Sequence, residues 1–279
     1  MATVPAIELN NSVSIPQLGF GVFQVPPAET QRAVEAALEA GYRHIDTAAA
    51  YRNESGVGAA LKASGIARED LFITTKLRNG EQSMARKAFD NSLQELGLDY
   101  VDLYLIHWPV PAQNLYVQVW KELEKIQADG GSRAVGVSNF LPEHLEAVLA
   151  AADLVPAVNQ IEIHPTLQQA ETVELSRKHG IAIEAYSPLG QGADLNHATV
   201  TDLAAKHNAT PAQIVLAWHL AQGSIVIPKT VSPERMAENL ASAELTLAPD
   251  EVNAISALEA GNRIGADPAT AAFHLLLIV

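Results

Sequence analysis

Short apolar runs rich in β-branched residues alternate along this chain with longer amphipathic segments, and about eight such pairs can be counted. That alternation is what repeated βα units around a parallel sheet require. Candidate strands lie around Gly19–Val22, His44–Asp46, Leu71–Lys76, Val101–His107, Ala134–Val137, Ala157–Glu162, Ile181–Tyr186 and Ser224–Pro228. Between them run helical segments such as Glu29–Ala40, Arg86–Leu96, Leu115–Ala128, Glu143–Ala151, Ala170–His179, Thr199–His207 and Pro233–Leu240. Gly41 and Gly180 stand where helix C-caps are expected, and Thr210-Pro-Ala-Gln213 is patterned as a capping box with Pro at the first helical position. The opening Ile7–Ile15 stretch, with a polar turn, reads as a hairpin that lids the bottom of the fold.

Eight units can close into a barrel or lie in a doubly wound open sheet. The open sheet usually announces itself with Gly-x-Gly-x-x-Gly after its first strand. The nearest strings, Gly19-Phe-Gly-Val-Phe-Gln24 and Gly56-Val-Gly-Ala-Ala-Leu61, both fail at the last glycine. The expectation is therefore an α/β protein, a (β/α)₈ TIM barrel forming one domain over residues 1–279, with residues 261–279 running as a loop across the mouth. In such a barrel the chemistry sits at the carboxyl ends of the strands, where Asp46, Lys76, His107, Asn139, Gln160 and Tyr186 fall.

With 32 acidic against 18 basic residues the formal charge is −14, a field that repels polyanions, so neither nucleic acid nor an anionic membrane is an expected partner. Zero cysteines exclude disulfides, thiolate metal sites and a cysteine nucleophile. No basic segment followed by an apolar one opens the chain, and the apolar run Leu275–Val279 is far short of a membrane span of roughly 20 residues. A cytoplasmic monomer is expected, and the sequons at Asn10, Asn53 and Asn208 are chance matches.

Four side chains at one rim carry the chemistry: a phenol (Tyr51), an ammonium (Lys76), a carboxylate (Asp46) and an imidazole (His107). A free phenol has a pKa of about 10, so proton donation near neutrality is helped by a neighbouring cation that stabilises the phenolate. Lys76 can be that cation, and Asp46 keeps a buried lysine charged and aimed. His107, if neutral, can donate a hydrogen bond to a carbonyl oxygen. Singly, each admits a plainer role: a structural ion pair, a rim aromatic, a core histidine. Packing alone gives no reason to collect all four at the ends of strands two, three and four.

The stretch Gly41-Tyr-Arg-His-Ile-Asp-Thr-Ala48 with Glu54 and Gly58, then Asp102–Pro109, Gly136-Val-Ser-Asn-Phe140, Asn159-Gln-Ile-Glu-Ile-His-Pro165 and Ile227-Pro-Lys-Thr230, resembles the motifs of the aldo-keto reductases in that family's order. The bacterial branch containing the diketogluconate reductases is the most similar. The resemblance implies a (β/α)₈ fold, NADPH as hydride donor, a small-molecule carbonyl substrate, and Asp46, Tyr51, Lys76 and His107 as the catalytic four. It further implies that Tyr186 stacks on the nicotinamide and that Ser138, Asn139 and Gln160 bind its carboxamide. Ser187-Pro-Leu-Gly-Gln-Gly192, through Ser187, Leu189 and Gln191, offers a hydroxyl, amides and glycines suited to a pyrophosphate. Lys229, Thr230 and Arg235 resemble the residues that grip the 2′-phosphate, with Glu238 and Asn239 at the adenine end. Ser232-Pro-Glu234 stands where bacterial relatives often carry more arginine, so the preference for NADPH over NADH is expected to persist but to be less extreme.

Phe23, Tyr51, His107 and Trp108 are expected to line the substrate pocket, with Leu195 and the C-terminal loop closing its far side. Arg78 stands where relatives commonly carry tryptophan, and it either receives a substrate carboxylate or faces solvent. Two rival readings differ in class. A cofactor-sensing interaction subunit would bind NADPH and turn over slowly, but all four catalytic positions are intact. A metal-dependent barrel hydrolase lacks any His-x-His or His-Glu-x-x-His pair among its nine histidines, so no metal site is expected.

Overall fold

In the computed structural model, which describes residues 3–273, an eight-stranded parallel sheet carries the fold and a short hairpin precedes it. The hairpin pairs β1 (Ala6–Glu8) with β2 (Ser14–Pro16), Ile7 facing Ile15. The sheet runs in chain order through β3 (Phe20–Gly21), β4 (His44–Asp46), β5 (Phe72–Leu77), β6 (Val101–Ile106), β7 (Ser132–Ser138), β8 (Val158–Glu162), β9 (Ala182–Tyr186) and β10 (Ile225–Val226). It closes on itself: Gly19 N donates to Val226 O at 2.8 Å and Val226 N to Gln17 O at 2.9 Å, so the first and last strands are joined. This is the expected (β/α)₈ barrel.

The helices around it are α1 (Pro27–Ala40), α2 (Glu54–Ser64), α3 (Ala85–Leu96), α4 (Tyr116–Ala128), α5 (Pro142–Ala151), α6 (Ala170–Lys178), α7 (Ala198–His207), α8 (Pro211–Ala221), α9 (Pro233–Ala241) and α10 (Pro249–Ser256). The Thr210 capping box forms, with Gln213 N donating to Thr210 Oγ1 and Thr210 N to Gln213 Oε1. Gly41, at φ 117°, ends α1. Helix α2 is the element the pattern obscured, because Ser55, Gly56 and Gly58 dilute its helical signal. Gly58 is needed there: any Cβ would collide with the backbone of Leu96 where α2 crosses α3. Helix α8 is apolar on nearly every side and buried, so it has no polar face to reveal a period.

Strand alternation sends one set of side chains outward, into a layer with the helices that includes Val34, Ile45, Ile73, Tyr104, Trp120, Ile183 and Trp218. The other set fills the lumen. Toward the hairpin the lumen is apolar: Phe72, Leu103, Leu105, Val158 and Ile225 pack with Leu9, Val13 and Ile15. Toward the strands' carboxyl ends it holds Asp46, Lys76, Gln160 and Glu184, all buried. A sealed floor under a polar ceiling concentrates the chemistry at one end. Residues 261–273 contain neither helix nor strand, and Gly265, Ala266 and Phe273 reach the cavity at that end; Leu275–Val279 lie outside the described residues. Among the described residues no helix is long and apolar enough to cross a membrane.

Candidate active site

Asp46 is the last residue of β4, Lys76 lies near the end of β5, and Tyr51 closes a single 3₁₀ turn, Ala49–Tyr51, that follows β4. This places the phenol above the ammonium. Lys76 Nζ donates to Asp46 Oδ1 at 2.6 Å and to the carbonyl of Thr47 at 2.9 Å, and it lies 3.4 Å from Tyr51 Oη. The His107 ring meets Tyr51 edge-on with centroids 5.6 Å apart. The four expected residues therefore meet in one cluster.

Burial alone would strip Lys76 of its proton, but the charge of Asp46 and its short hydrogen bond outweigh it, so the amine is held above its ordinary pKa and stays an ammonium. Lys76 acts on the Tyr51 phenol in the expected direction, through its charge and its hydrogen bond. Burial raises its pKa and Lys76 lowers it, yet burial wins and the hydroxyl stays above its ordinary range. The ammonium thus offsets part of the cost of burying a phenolate and does not make a free acid of the phenol.

Above this cluster opens a cavity of about 330 Å³. Phe23, Tyr51, Arg78, His107 and Trp108 line it, as expected for a substrate pocket, and so do Ser138, Asn139, Gln160, Tyr186, Ser187, Gln191 and Lys229 of the expected cofactor set. Phe23 is half exposed and leans on Tyr51, with ring centroids 5.2 Å apart. Trp108 meets Phe273 edge-on, and Gln82 holds the Trp108 carbonyl. Arg78 does not simply face solvent: it is on the cavity wall, with Nη2 paired to Glu81 at 3.0 Å. Leu195 departs from expectation. It packs against the outer apolar layer, and the far wall comes from Gly265, Ala266 and Phe273.

The amide-bearing wall is tightly organised. Ser138 Oγ and Asn139 N both donate to the Gln160 carbonyl at 2.9 Å, while Asn139 Nδ2 donates to the carbonyl of His107 and Tyr186 Oη donates to Asn139 Oδ1 at 2.7 Å. Asn139 and Ser187 sit in the left-handed region at φ 62° and 47°, a local strain the surrounding bonds sustain. Gln160 Nε2 donates to Asp46 Oδ2 at 2.8 Å and to Glu184 Oε2 at 2.7 Å.

Five of the expected cofactor residues do not reach the cavity wall. Leu189 packs on the core, Thr230 is buried and accepts from Ser232 N, and Arg235 is exposed in the first turn of α9. Glu238 is engaged elsewhere, accepting from Thr210 Oγ1 at 2.6 Å, and Asn239 is buried. The wall also includes Glu162, which the motif Asn159–Pro165 contained but no chemistry singled out. Its carboxylate accepts from Ile264 N at 2.7 Å and Gly265 N at 2.8 Å, tying the C-terminal segment to β8. Burial would raise its pKa, but His164 and these two amides more than compensate and lower it.

The model of the aldo/keto reductase family matches residues 17–260. The chain belongs to that family. An aldo-keto reductase from Mycolicibacterium smegmatis is 52% identical over 268 residues, covering 95% of this chain and 98% of the relative. The methylglyoxal reductase DkgA of Yersinia pestis is 49% identical, with 96% and 98% covered. Among solved structures, a variant of Gox0644 in complex with NADPH superposes with a TM-score of 0.93 at 43% identity, covering 97% of this chain and all of that one. A Bombyx mori aldo-keto reductase in complex with NADP gives 0.90 at 34% identity, with 95% and 96% covered. As a member of this family the protein is an oxidoreductase.

Proposed function

We propose that this aldo-keto reductase reduces an aldehyde or ketone to the alcohol with NADPH, Tyr51 being the proton donor. The observation that carries the reading is the cluster itself: a phenol on a cavity wall, 3.4 Å from an ammonium that a buried carboxylate fixes. The NADP(H) complexes of two structural neighbours and the methylglyoxal reductase name of relatives support it.

The residues fit such a cofactor. Among the described residues nothing donates to Gln160 Oε1, leaving an acceptor on the wall that suits an amide, and Lys229 gives the same cavity a basic residue. Ser138, Asn139, Gln160 and Tyr186 would hold its carboxamide end, Ser187 and Gln191 its middle, and Lys229, Thr230 and Arg235 its 2′-phosphate. NADPH, when bound, supplies the hydride. Tyr51 delivers a proton to the carbonyl oxygen from Oη, His107 orients that oxygen, and Lys76 stabilises the phenolate left behind. Asp46 prevents the loss of the Lys76 proton that burial would otherwise cause. Phe23, Trp108 and Phe273 supply apolar walls that exclude water, and Arg78 gives the pocket one polar side.

Steady-state NADPH oxidation against methylglyoxal, dicarbonyls, sugars, aromatic aldehydes and keto acids tests the reading. Turnover with at least one carbonyl is expected. Tight NADPH binding with no turnover on any of them would instead favour the sensing subunit.

A further inference from the structure

Glu184, in the middle of β9, is fully buried in the barrel lumen and has no role in the scheme above. Its Oε2 accepts from Gln160 Nε2 at 2.7 Å, and the same nitrogen donates its other hydrogen to Asp46 Oδ2 at 2.8 Å. Both hydrogens of one amide are therefore held by carboxyl groups from opposite sides. Turning that amide over would set its oxygen against both.

We propose that Glu184 is a positioning residue which, with Asp46, locks the Gln160 amide so that Oε1 is presented to the cavity as an acceptor for the carboxamide of the nicotinamide cofactor. The inference rests on the NADPH reading given above. It joins the group that recognises the cofactor to the carboxylate that fixes Lys76, through a residue that touches neither cofactor nor substrate.

Glu184 performs this as the neutral acid. The groups that face it are Asp46 and His44 from β4, Lys76 from β5 and Gln160 from β8, with Tyr51 beyond them. The positive charge of Lys76 is already spent on Asp46. His44 Nδ1 lies 3.2 Å from the carbonyl of Pro16, which can only accept, so that nitrogen carries the hydrogen and Nε2 is left as an acceptor, shared with the Thr74 hydroxyl at 3.4 Å. Glu184 Oε1 receives no hydrogen bond and lies 3.5 Å from this Nε2. A hydrogen on Oε1 turns an orphaned acceptor into a donor with a partner. Burial, reinforced by the charge of Asp46, pushes the carboxyl up to about 8, in keeping with that geometry.

The test uses the full chain with Glu184→Gln and Glu184→Met, each also combined with Gln160→Ala, and reads NADPH dissociation constants by fluorescence. Glutamine keeps the acceptor and the neutral charge, so Glu184→Gln is expected to bind NADPH within about twofold of wild type. Methionine frees one hydrogen of the Gln160 amide, and affinity should fall about three- to tenfold, the worth of one neutral hydrogen bond. In the Gln160→Ala background the methionine penalty should vanish, which a merely structural role would not produce. Equal penalties in both backgrounds overturn the inference, as does wild-type affinity in Glu184→Met. Failure of the wild-type protein to bind NADPH overturns the functional reading instead.

Should the methionine variant fail to fold, thermal melts of Glu184→Gln decide. The unfolded chain releases the Glu184 proton near its ordinary pKa, whereas the folded protein keeps it to about 8. Wild-type stability is therefore lost as pH rises between those values, and glutamine abolishes that loss. The melting-temperature advantage of Glu184→Gln should widen from pH 5 to about 8 and then level off; a constant difference overturns the neutral-acid assignment and with it the proposal.

Discussion

Lys76 Nζ lies 2.6 Å from Asp46 Oδ1 but 3.4 Å from Tyr51 Oη, so the ammonium is bound to the carboxylate and only leans toward the phenol. In the scheme proposed above, the weak second contact suits a donor that keeps its proton until a carbonyl oxygen needs it. Tyr51→Phe removes that proton and little else, since the ring remains packed against Phe23 and His107. Turnover should fall by about 10²- to 10⁴-fold, the usual worth of a positioned acid, while NADPH affinity changes little. Near-wild-type turnover in steady-state assays removes Tyr51 as the acid.

The same distances predict where stability resides. Lys76→Met leaves Asp46 buried without its cation, and breaking such a pair costs about 3–5 kcal/mol. Asp46 would still hold the Gln160 amide, so the loss is electrostatic rather than steric. Adding Asp46→Asn to Lys76→Met should recover part of it by removing the stranded charge. Urea unfolding of the three proteins checks this, and a single variant as stable as wild type contradicts it.

The barrel and the gathering of Asp46, Tyr51, Lys76 and His107 at its rim were legible in the sequence because both are written locally. Strand runs, helix caps and the order of Asp46, Lys76 and His107 at successive strand ends need no knowledge of distant contacts. Glu184 was invisible for the opposite reason. In Ala182-Ile-Glu-Ala-Tyr186 it is one acid in a short strand, and its meaning arises only when β8 and β4 bring Gln160 and Asp46 to the same lumen. Leu195 was misplaced because an apolar residue in a glycine-rich loop can turn either way, and here it turned to the core. Spacing shows the cation beside the phenol but not the burial that opposes it.

Cofactor choice should reside with Lys229 on the cavity wall and Arg235, exposed in the first turn of α9 outside it. A doubly charged 2′-phosphate would gain charge-assisted hydrogen bonds there, each worth about 1.5–3 kcal/mol, that a hydroxyl cannot make. Arg235→Ala should therefore raise the KM for NADPH about tenfold or more and leave that for NADH nearly unchanged. Wild type should still favour NADPH, and equal efficiency with both cofactors would refute the assignment.

Arg78 offers a test of substrate class. Its guanidinium is on the cavity wall with Nη2 committed to Glu81, and Nη1 has no partner among the described residues. If a substrate carboxylate meets it, Arg78→Ala should lower kcat/KM for keto acids about tenfold or more, within the 1.5–3 kcal/mol of a charged hydrogen bond, and spare neutral aldehydes. Unchanged efficiency on acidic carbonyls assigns Arg78 to the Glu81 pair alone.

Acid should destabilise the fold through two buried histidines. His219 donates from Nε2 to the carbonyl of Pro188, and His44 is enclosed in the lumen; burial pushes both down to about 4. The folded protein therefore keeps them neutral while the unfolded chain takes up protons below about 6.5. The contribution of the two histidines is complete above that value and is lost as pH falls toward 4, each costing about 2 kcal/mol at pH 5. His219→Gln preserves a donor for Pro188 and cannot titrate. Denaturant unfolding at pH 7.5 and pH 5 should show a loss smaller by about 2 kcal/mol in this variant than in wild type, and an equal loss would mean that His219 already carries its proton when folded.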